Sequence, residues 1–465
     1  MQRALFLSPV PVPRTTSPAL ACPPPERRRR FDAPSTPPAP TGVPSLAPTR
    51  RGPPGLAAGR FPLLASGGTR CPVPPAGPAP GTAARAADAP ALPPLTTLTP
   101  ATHGAAAGGD LFLSPSVSGT GSRYASGVEI LSGDGRRTVW SHTLPAGLSA
   151  ADFRTQRYRG HQVLTWWQGT GLGGLATGED VVYDDHYRPL ATVRAGNGYS
   201  ADGHEFLITS RDTALVLVYA KKTADLTSLG GSAHQAVVDG LVQEVDIRTG
   251  RVLFQWDAAE HVPYAQSEQP LPASAITPWD WFHINAVKVD TDGNLLVDAR
   301  NTWTTYKIDR RSGTVLWQLG GKASTFTLKA AGGQTLNSAG AVFAWQHDPE
   351  PLGHGRYSLF DNESAGAANT GAGAVAELPY SRAVTLQLDL RRRTATLVSS
   401  LDQPHGLSAS SQGDAQPLRD GHTLVGWGSL PYVSEFDRHG ALVFDARLPD
   451  GVTSYRAYRL PWHSR

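Results

Sequence analysis

One short pattern recurs along the last three-quarters of this chain: a β-rich run, an aspartate, a tight turn, and a second β-rich run. Val242–Trp256 (VQEVDIRTGRVLFQW) and Thr305–Leu319 (TYKIDRRSGTVLWQL) agree almost position by position. Ala383–Val398, Tyr432–Asp445 and Val181–Arg194 carry the same grammar. Self-similarity of this kind means that one supersecondary unit is repeated, and a unit of hairpins cannot bury its own apolar faces alone. The clearest unit is Phe282–Lys322, with strands expected at His283–Asp290, Leu295–Arg300, Thr304–Ile308 and Val315–Leu319. Its turns fall at Asp292-Gly293-Asn294 and Arg311-Ser312-Gly313. A four-stranded meander of about forty residues is the size of a propeller blade. No 3.6-residue apolar period survives over a dozen residues, which argues against helices. From Leu111 onward, repeats of about forty to sixty-five residues suggest roughly six blades. The expected fold class is therefore all-β, a six-bladed β-propeller over residues 109–465. A sandwich could hold as many strands, but it does not call for the repetition.

Residues 1–108 read differently. The first 110 residues hold 25 of the 40 prolines, 11 arginines, no lysine and four acids, so this part carries +7 while the remainder carries −4. Proline, alanine and arginine without aromatic or β-branched clusters cannot bury enough apolar surface to offset ordering entropy, and 1–108 is expected to be a disordered low-complexity segment or leader. Met1–Leu7 starts like a signal peptide, but Pro9, Pro11 and Pro13 interrupt any apolar core. No run is long and apolar enough to form a transmembrane segment. The mildly acidic repeat region does not suggest a nucleic-acid partner. Both cysteines, Cys22 and Cys71, lie upstream of the repeats, so a thiolate metal site there is not expected.

Aligning the repeats by their outer hairpins exposes the inner strands: GHEFLIT from Gly203, FHINAVKV from Phe282, QHDPEPL from Gln346 and SQGDAQPL from Ser411. Three of the four place a histidine at the same point: His204, His283 and His347. In a propeller the innermost strands line the central channel, so equivalent side chains converge however distant in sequence. Pairing across the Asp292–Asn294 turn brings Arg300 within a residue or two of His283. Asn285, two residues along the strand, should share its face. The next hairpin returns Asp361 and Asn362 alongside His347. A single histidine near a strand start is more often structural; three in register beside an arginine point to a site.

Imidazoles can serve as nucleophile, acid or base, and with an arginine they make a cationic pocket for a tetrahedral oxyanion. The same three could hold a metal, or form a structural ring in a non-catalytic binding module. Arg300 suits anion handling better than metal ligation, since a guanidinium is repelled by a dication. The repeats contain no G-x-x-x-x-G-K-[ST] phosphate loop and no G-x-S-x-G elbow, and no cofactor is expected.

The segments YSADGHEF (199–206), DWFHINAV (280–287), DARNTWTTYKIDRRSGTVLWQLGGK (298–322), FAWQHD (343–348), LFDNE (359–363) and GWGSLPYVSEFD (426–437) resemble the arylsulfotransferase family, in its actinobacterial and fungal branch. The likeness runs from about Leu111 to the C-terminus. It implies a six-bladed propeller outside the cytoplasm that moves a sulfuryl group from an aryl sulfate donor to a phenolic acceptor, by ping-pong kinetics and without a nucleotide donor. By motif it implies that His347 is the histidine transiently sulfated. His283 and Asn285 match the F-H-x-N pair, Arg300 the arginine that follows, and His204 the remaining channel histidine.

Overall fold

The repeated hairpins form six four-stranded antiparallel sheets, each meandering outward from a central axis. The computed structural model describes residues 90–100, 108–118, 122–171, 176–366 and 377–462. Blade two comprises Ser149–Tyr158, His161–Thr170, Thr177–Tyr183 and Pro189–Val193; blade three comprises Phe206–Ile208, Thr213–Ala224, Gln235–Asp246 and Val252–Asp257. Blade four comprises Ile284–Val289, Leu295–Ala299, Thr304–Ile308 and Val315–Gly320, close to the bounds read from sequence. Blade five comprises His347–Gly353, Arg356–Asp361, Arg382–Asp389 and Thr394–Asp402; blade six comprises Asp414–Pro417, Thr423–Gly426, Tyr432–Phe436 and Leu442–Arg447. Blade one is assembled from both ends of the folded part. Val452–Leu460 supplies its innermost strand, antiparallel to Asp110–Val117, with Gly127–Leu131 and Thr138–Thr143 outside.

Because each blade lies between two others, its strands are apolar on both faces, and successive residues serve opposite neighbours. Leu295, Val297 and Ala299 pack toward blade three, whereas Leu296 packs with Leu359, Val384 and Leu397 of blade five. Leu215 and Leu217 face blade four, while Val216 joins Val163, Val182 and Phe206 at the interface with blade two. The ring closes on Leu111, Leu113, Leu424, Val433, Phe444 and Ala457 between blades six and one. A strand buried on both faces reads as a mostly apolar run, and LLVDA at 295–299 is buried throughout, with Asp298 its one polar member.

Beyond the meanders, Trp279–Asp280 pairs in parallel with Gln235–Asp246 of blade three, and two further strands lie on outer edges. Thr327–Ala330 pairs in parallel with Thr394–Asp402 of blade five, and Thr96–Thr99 pairs antiparallel with Leu442–Arg447 of blade six. They cover backbone groups that would otherwise stand unpaired. Folded structure thus begins before the boundary expected at residue 109, because a short threonine-rich strand can be recruited by a free edge without a core of its own. The expectation of disorder for 1–108 otherwise falls mostly outside the described residues. Among those described, no helix is long and apolar enough to cross a membrane.

Leu296 and Leu316 belong to one blade but differ in burial: Leu296 is fully buried between blades, while Leu316 is 44% exposed. Leu296→Ala is expected to lower stability by about 2–5 kcal/mol and Leu316→Ala by less than about 0.5 kcal/mol. Denaturant titration of the two variants measures the contrast.

Candidate active site

The inner strands do not run straight past the axis. In blade two the pairing jumps from Ala151 to Arg154, in blade four from Ile284 to Ala286, and in blade five from His347 to Glu350. In the closing strand of blade one, Tyr455 and Arg456 together oppose Ser114. Each jump is a β-bulge, which turns an extra residue toward the axis. The backbone bears the strain: His283 (φ 53°), Asp348 (φ 57°) and Asp152 (φ 52°) all adopt left-handed conformations, as do Trp345 (φ 57°) and Gln412 (φ 65°) beside them.

These turns gather His204, His283 and His347 at the axis, all buried. The ring centroids of His204 and His283 are 5.2 Å apart, edge to face, and those of His204 and His347 are 6.4 Å apart. Tyr219 packs on both His204 and His283, at 5.6 and 5.5 Å, and Tyr455 packs edge-on to His204 at 5.6 Å.

Each imidazole has its Nδ1 occupied. His204 Nδ1 is bound by the carboxylate of Asp202, and His283 Nδ1 by that of Asp280. His347 Nδ1 lies 2.7 Å from Asn362 Oδ1. An amide oxygen only accepts, so His347 carries its proton on Nδ1 and its Nε2 has a lone pair. That lone pair accepts from the backbone N–H of Gln412 at 3.2 Å. Asn362 is itself held, its Nδ2 donating to the carbonyls of Ala409 and Gln412 at 2.9 and 3.0 Å. Burial, the Arg300 charge and His204 hold the His347 pKa well below the usual histidine value. His283 is also depressed, by burial first, although Asp280 pulls the other way.

Arg300 begins the turn after its strand, its backbone N–H donating to His283 O at 3.0 Å. Its side chain turns inward, wholly buried. The guanidinium stacks 5.0 Å over the Trp345 ring and donates to Asn301 Oδ1 (2.9 Å), Ala365 O (2.6 Å) and Ser410 O (2.8 Å). Among the described residues no carboxylate lies within ion-pair distance, and Nε has no partner. Desolvation lowers its pKa to about 10, so it stays charged at neutral pH.

Asn285 lies at a bulge that the sequence did not reveal. The bulge between Ile284 and Ala286 breaks the alternation on which a face shared with His283 depended. Its Nδ2 instead donates to Gln346 O at 2.9 Å, tying blade four to blade five beside His347. Asp202 and Asp280 were not singled out from the sequence. The D-x-H and D-x-x-H spacings within YSADGHEF and DWFHINAV were available signals, since a carboxylate two or three residues before a histidine can reach its Nδ1. Nothing in the sequence marked Tyr455, whereas Gln412 holds the slot in SQGDAQPL that the histidines hold in the other three inner strands. Among the described residues no three His, Cys, Asp or Glu side chains are grouped so as to hold a metal ion.

The fold and site together define a six-bladed β-propeller whose channel presents three buried, Nδ1-anchored imidazoles beside an unpaired guanidinium. The chain belongs to the arylsulfotransferase family: the family described as Arylsulfotransferase (ASST) matches residues 154–448. No curated protein matches the sequence. Solved structures similar to it include a protein of unknown function from Bacteroides caccae, 14% identical, covering 75% of this chain and 98% of that one with a TM-score of 0.41. Another is the Cps50 (Swd1) β-propeller domain of Myceliophteria thermophila, 11% identical, covering 77% of this chain and 90% of that one with a TM-score of 0.37.

Because the Arg300 charge helps to depress His347, Arg300→Met is expected to move the His347 titration back toward its ordinary value. Imidazole NMR of histidine-labelled protein across pH 4–8 reads this directly. An unmoved midpoint would mean that burial and the neighbouring imidazoles set it without Arg300.

Proposed function

We propose that the enzyme transfers a sulfuryl group from an aryl sulfate ester to a phenol through a sulfated His347. The reading is carried by the neutral His347, whose Nδ1–H is fixed on Asn362 and whose Nε2 lone pair lies in a buried site that also holds the Arg300 charge. A nucleophile must be unprotonated, and here tautomer and protonation state are both set before substrate arrives.

In the first half-reaction, His347 Nε2 forms a bond to sulfur as the bond from sulfur to the aryl oxygen breaks. The electron pair leaves with the phenolate, which departs and takes up a proton from solvent. Arg300, with its free Nε–H, faces the charge on the sulfuryl oxygens, and the Gln412 N–H moves from Nε2 to one of them. His347 keeps its Nδ1 proton, so the sulfated ring is a cationic imidazolium and a good leaving group.

In the second half-reaction an acceptor phenol attacks sulfur, and the N–S electron pair returns to Nε2. The phenol's proton passes to His283 or His204, each oriented by its aspartate and without a protein partner at Nε2 among the described residues. That proton balances the one taken up by the departing phenolate. Tyr219 and Tyr455 offer aromatic surface for the ring of the substrate.

Incubation with 4-nitrophenyl sulfate and phenol tests the proposal. Nitrophenol release should require phenol and survive chelator, and His347→Ala should reduce it about 10⁴-fold or more. With donor alone, peptide mass analysis should find a sulfuryl group on His347. His283→Ala should cost about 10²–10³-fold in kcat. Loss of turnover in chelator would favour a metal centre, and no turnover of any aryl sulfate would favour a binding module.

The pH profile follows from the depressed His347. Its neutral form is the active one, and its pKa lies below the ordinary 6.5. The acid limb of kcat/KM should therefore lie below pH 6.5, with activity lost as His347 gains a proton. A limb at or above 6.5 contradicts the assignment.

A further inference from the structure

Next to the imidazoles lies a second buried cluster, made mainly of charged side chains with the Tyr458 hydroxyl among them. Lys288 stands at its centre, 3% exposed. Its ammonium lies 2.9 Å from Glu205, 2.7 Å from Asp348 and 2.7 Å from Glu350. Burial alone would depress Lys288, but the carboxylates of Asp348, Glu205 and Glu350 outweigh it and hold the amine charged. Arg456 reinforces the layer, 3.1 Å from both Asp152 and Glu205 and 3.2 Å from Asp348, and it donates to Asn285 O at 3.3 Å. Arg154 also pairs with Glu205 and Asp152.

The identity of these partners matters more than their number. Glu205 directly follows His204, Asp348 directly follows His347, and Lys288 lies on the strand that His283 precedes. One ammonium therefore joins the backbones carrying all three imidazoles. Near the axis Asn285 and Gln346 also tie blade four to blade five, and Tyr219 ties blade three to blade four through Ile284 O. Lys288 and Arg456 both join the residues that directly follow His204 and His347, and of the two only Lys288 comes from the strand that His283 precedes. Apolar contact has no directional preference that would set a ring within a fraction of an ångström. An ion triad in a dry site does have such a preference.

We propose that Lys288 is a positioning residue for sulfuryl transfer, clasping Glu205 and Asp348 so that His204 and His347 converge on one substrate. This rests on the transfer reading given above. Loss of the clasp lets the two strands relax independently. Displacement of reacting groups by about 1 Å costs on the order of 100-fold in rate.

The test pairs Lys288→Met with Glu350→Gln, which leaves the net charge of the layer unchanged, and compares it with Lys288→Arg. Three measurements are made on the full chain: thermal melting, kcat and KM with 4-nitrophenyl sulfate and phenol, and a crystal structure giving the His204–His347 ring separation. The expected result is a folded double variant with kcat reduced about 100-fold, KM within about threefold, and a separation displaced from 6.4 Å. Lys288→Arg should recover part of kcat. A folded double variant with unchanged kcat and unchanged separation overturns the proposal. If the double variant does not fold, Glu350→Gln alone decides: it keeps Lys288 but removes its outermost anchor, and should lower kcat roughly fivefold, with an unchanged kcat counting against the clasp. If the wild type turns over no aryl sulfate, the transfer reading fails. The crystal structures then decide the clasp separately, a displaced ring pair supporting it and an unmoved one refuting it.

Discussion

A ring of packed sheets is stable only when it has no ends. Six blades each bury both faces against their neighbours, and a missing contact between blades six and one would expose Leu111, Leu113, Phe444 and Ala457 together. The chain avoids this by lending its last strand, Val452–Leu460, to the blade built from Asp110–Val117. Hydrophobic association is non-directional, so the apolar interfaces between blades make the ring without specifying what happens at its centre. Closure also delivers Tyr455 and Arg456 to the axis, on the same strand that seals the ring. Stability and site construction therefore share one element.

At the centre the controlling features are backbone bulges. A regular strand would send alternate residues to the two neighbouring blades and almost nothing toward the axis. The bulges at Asp152, Asn285, Asp348 and Tyr455-Arg456 break that alternation and stack two layers, imidazole above and charge below. Left-handed backbone at His283, Asp348 and Gln412 costs energy that the dense interblade packing can absorb.

Much of the fold was legible in the sequence because repetition is a global signal. The strand bounds of blade four and the register of three histidines followed from aligning VQEVDIRTGRVLFQW with TYKIDRRSGTVLWQL, and Arg300 was correctly placed opposite His283. Asn362 was found beside His347 for the same reason. The chain-end blade was not legible: its outer hairpin, VEILSGDGRRTVW, lacks the aspartate at the expected place, and its inner strand lies more than three hundred residues away. The tie of Asn285 to Gln346 was not legible, because a bulge shifts the count by one and leaves no mark in composition. The Lys288 layer was invisible for another reason: the carboxylates on Lys288 come from the two neighbouring blades, and a lysine in INAVKVD looks like any solvent-facing strand residue.

The buried charge layer gives the histidine site a floor. Under the proposed transfer, donor, spent phenol and acceptor would share the side opposite that floor, so a departing ring would have to clear it before the next entered. A long acceptor would then arrive end-first, its reactive hydroxyl leading and its bulk trailing outside. Selection among natural acceptors then belongs to the rim loops, which can vary without disturbing the floor on which the chemistry rests.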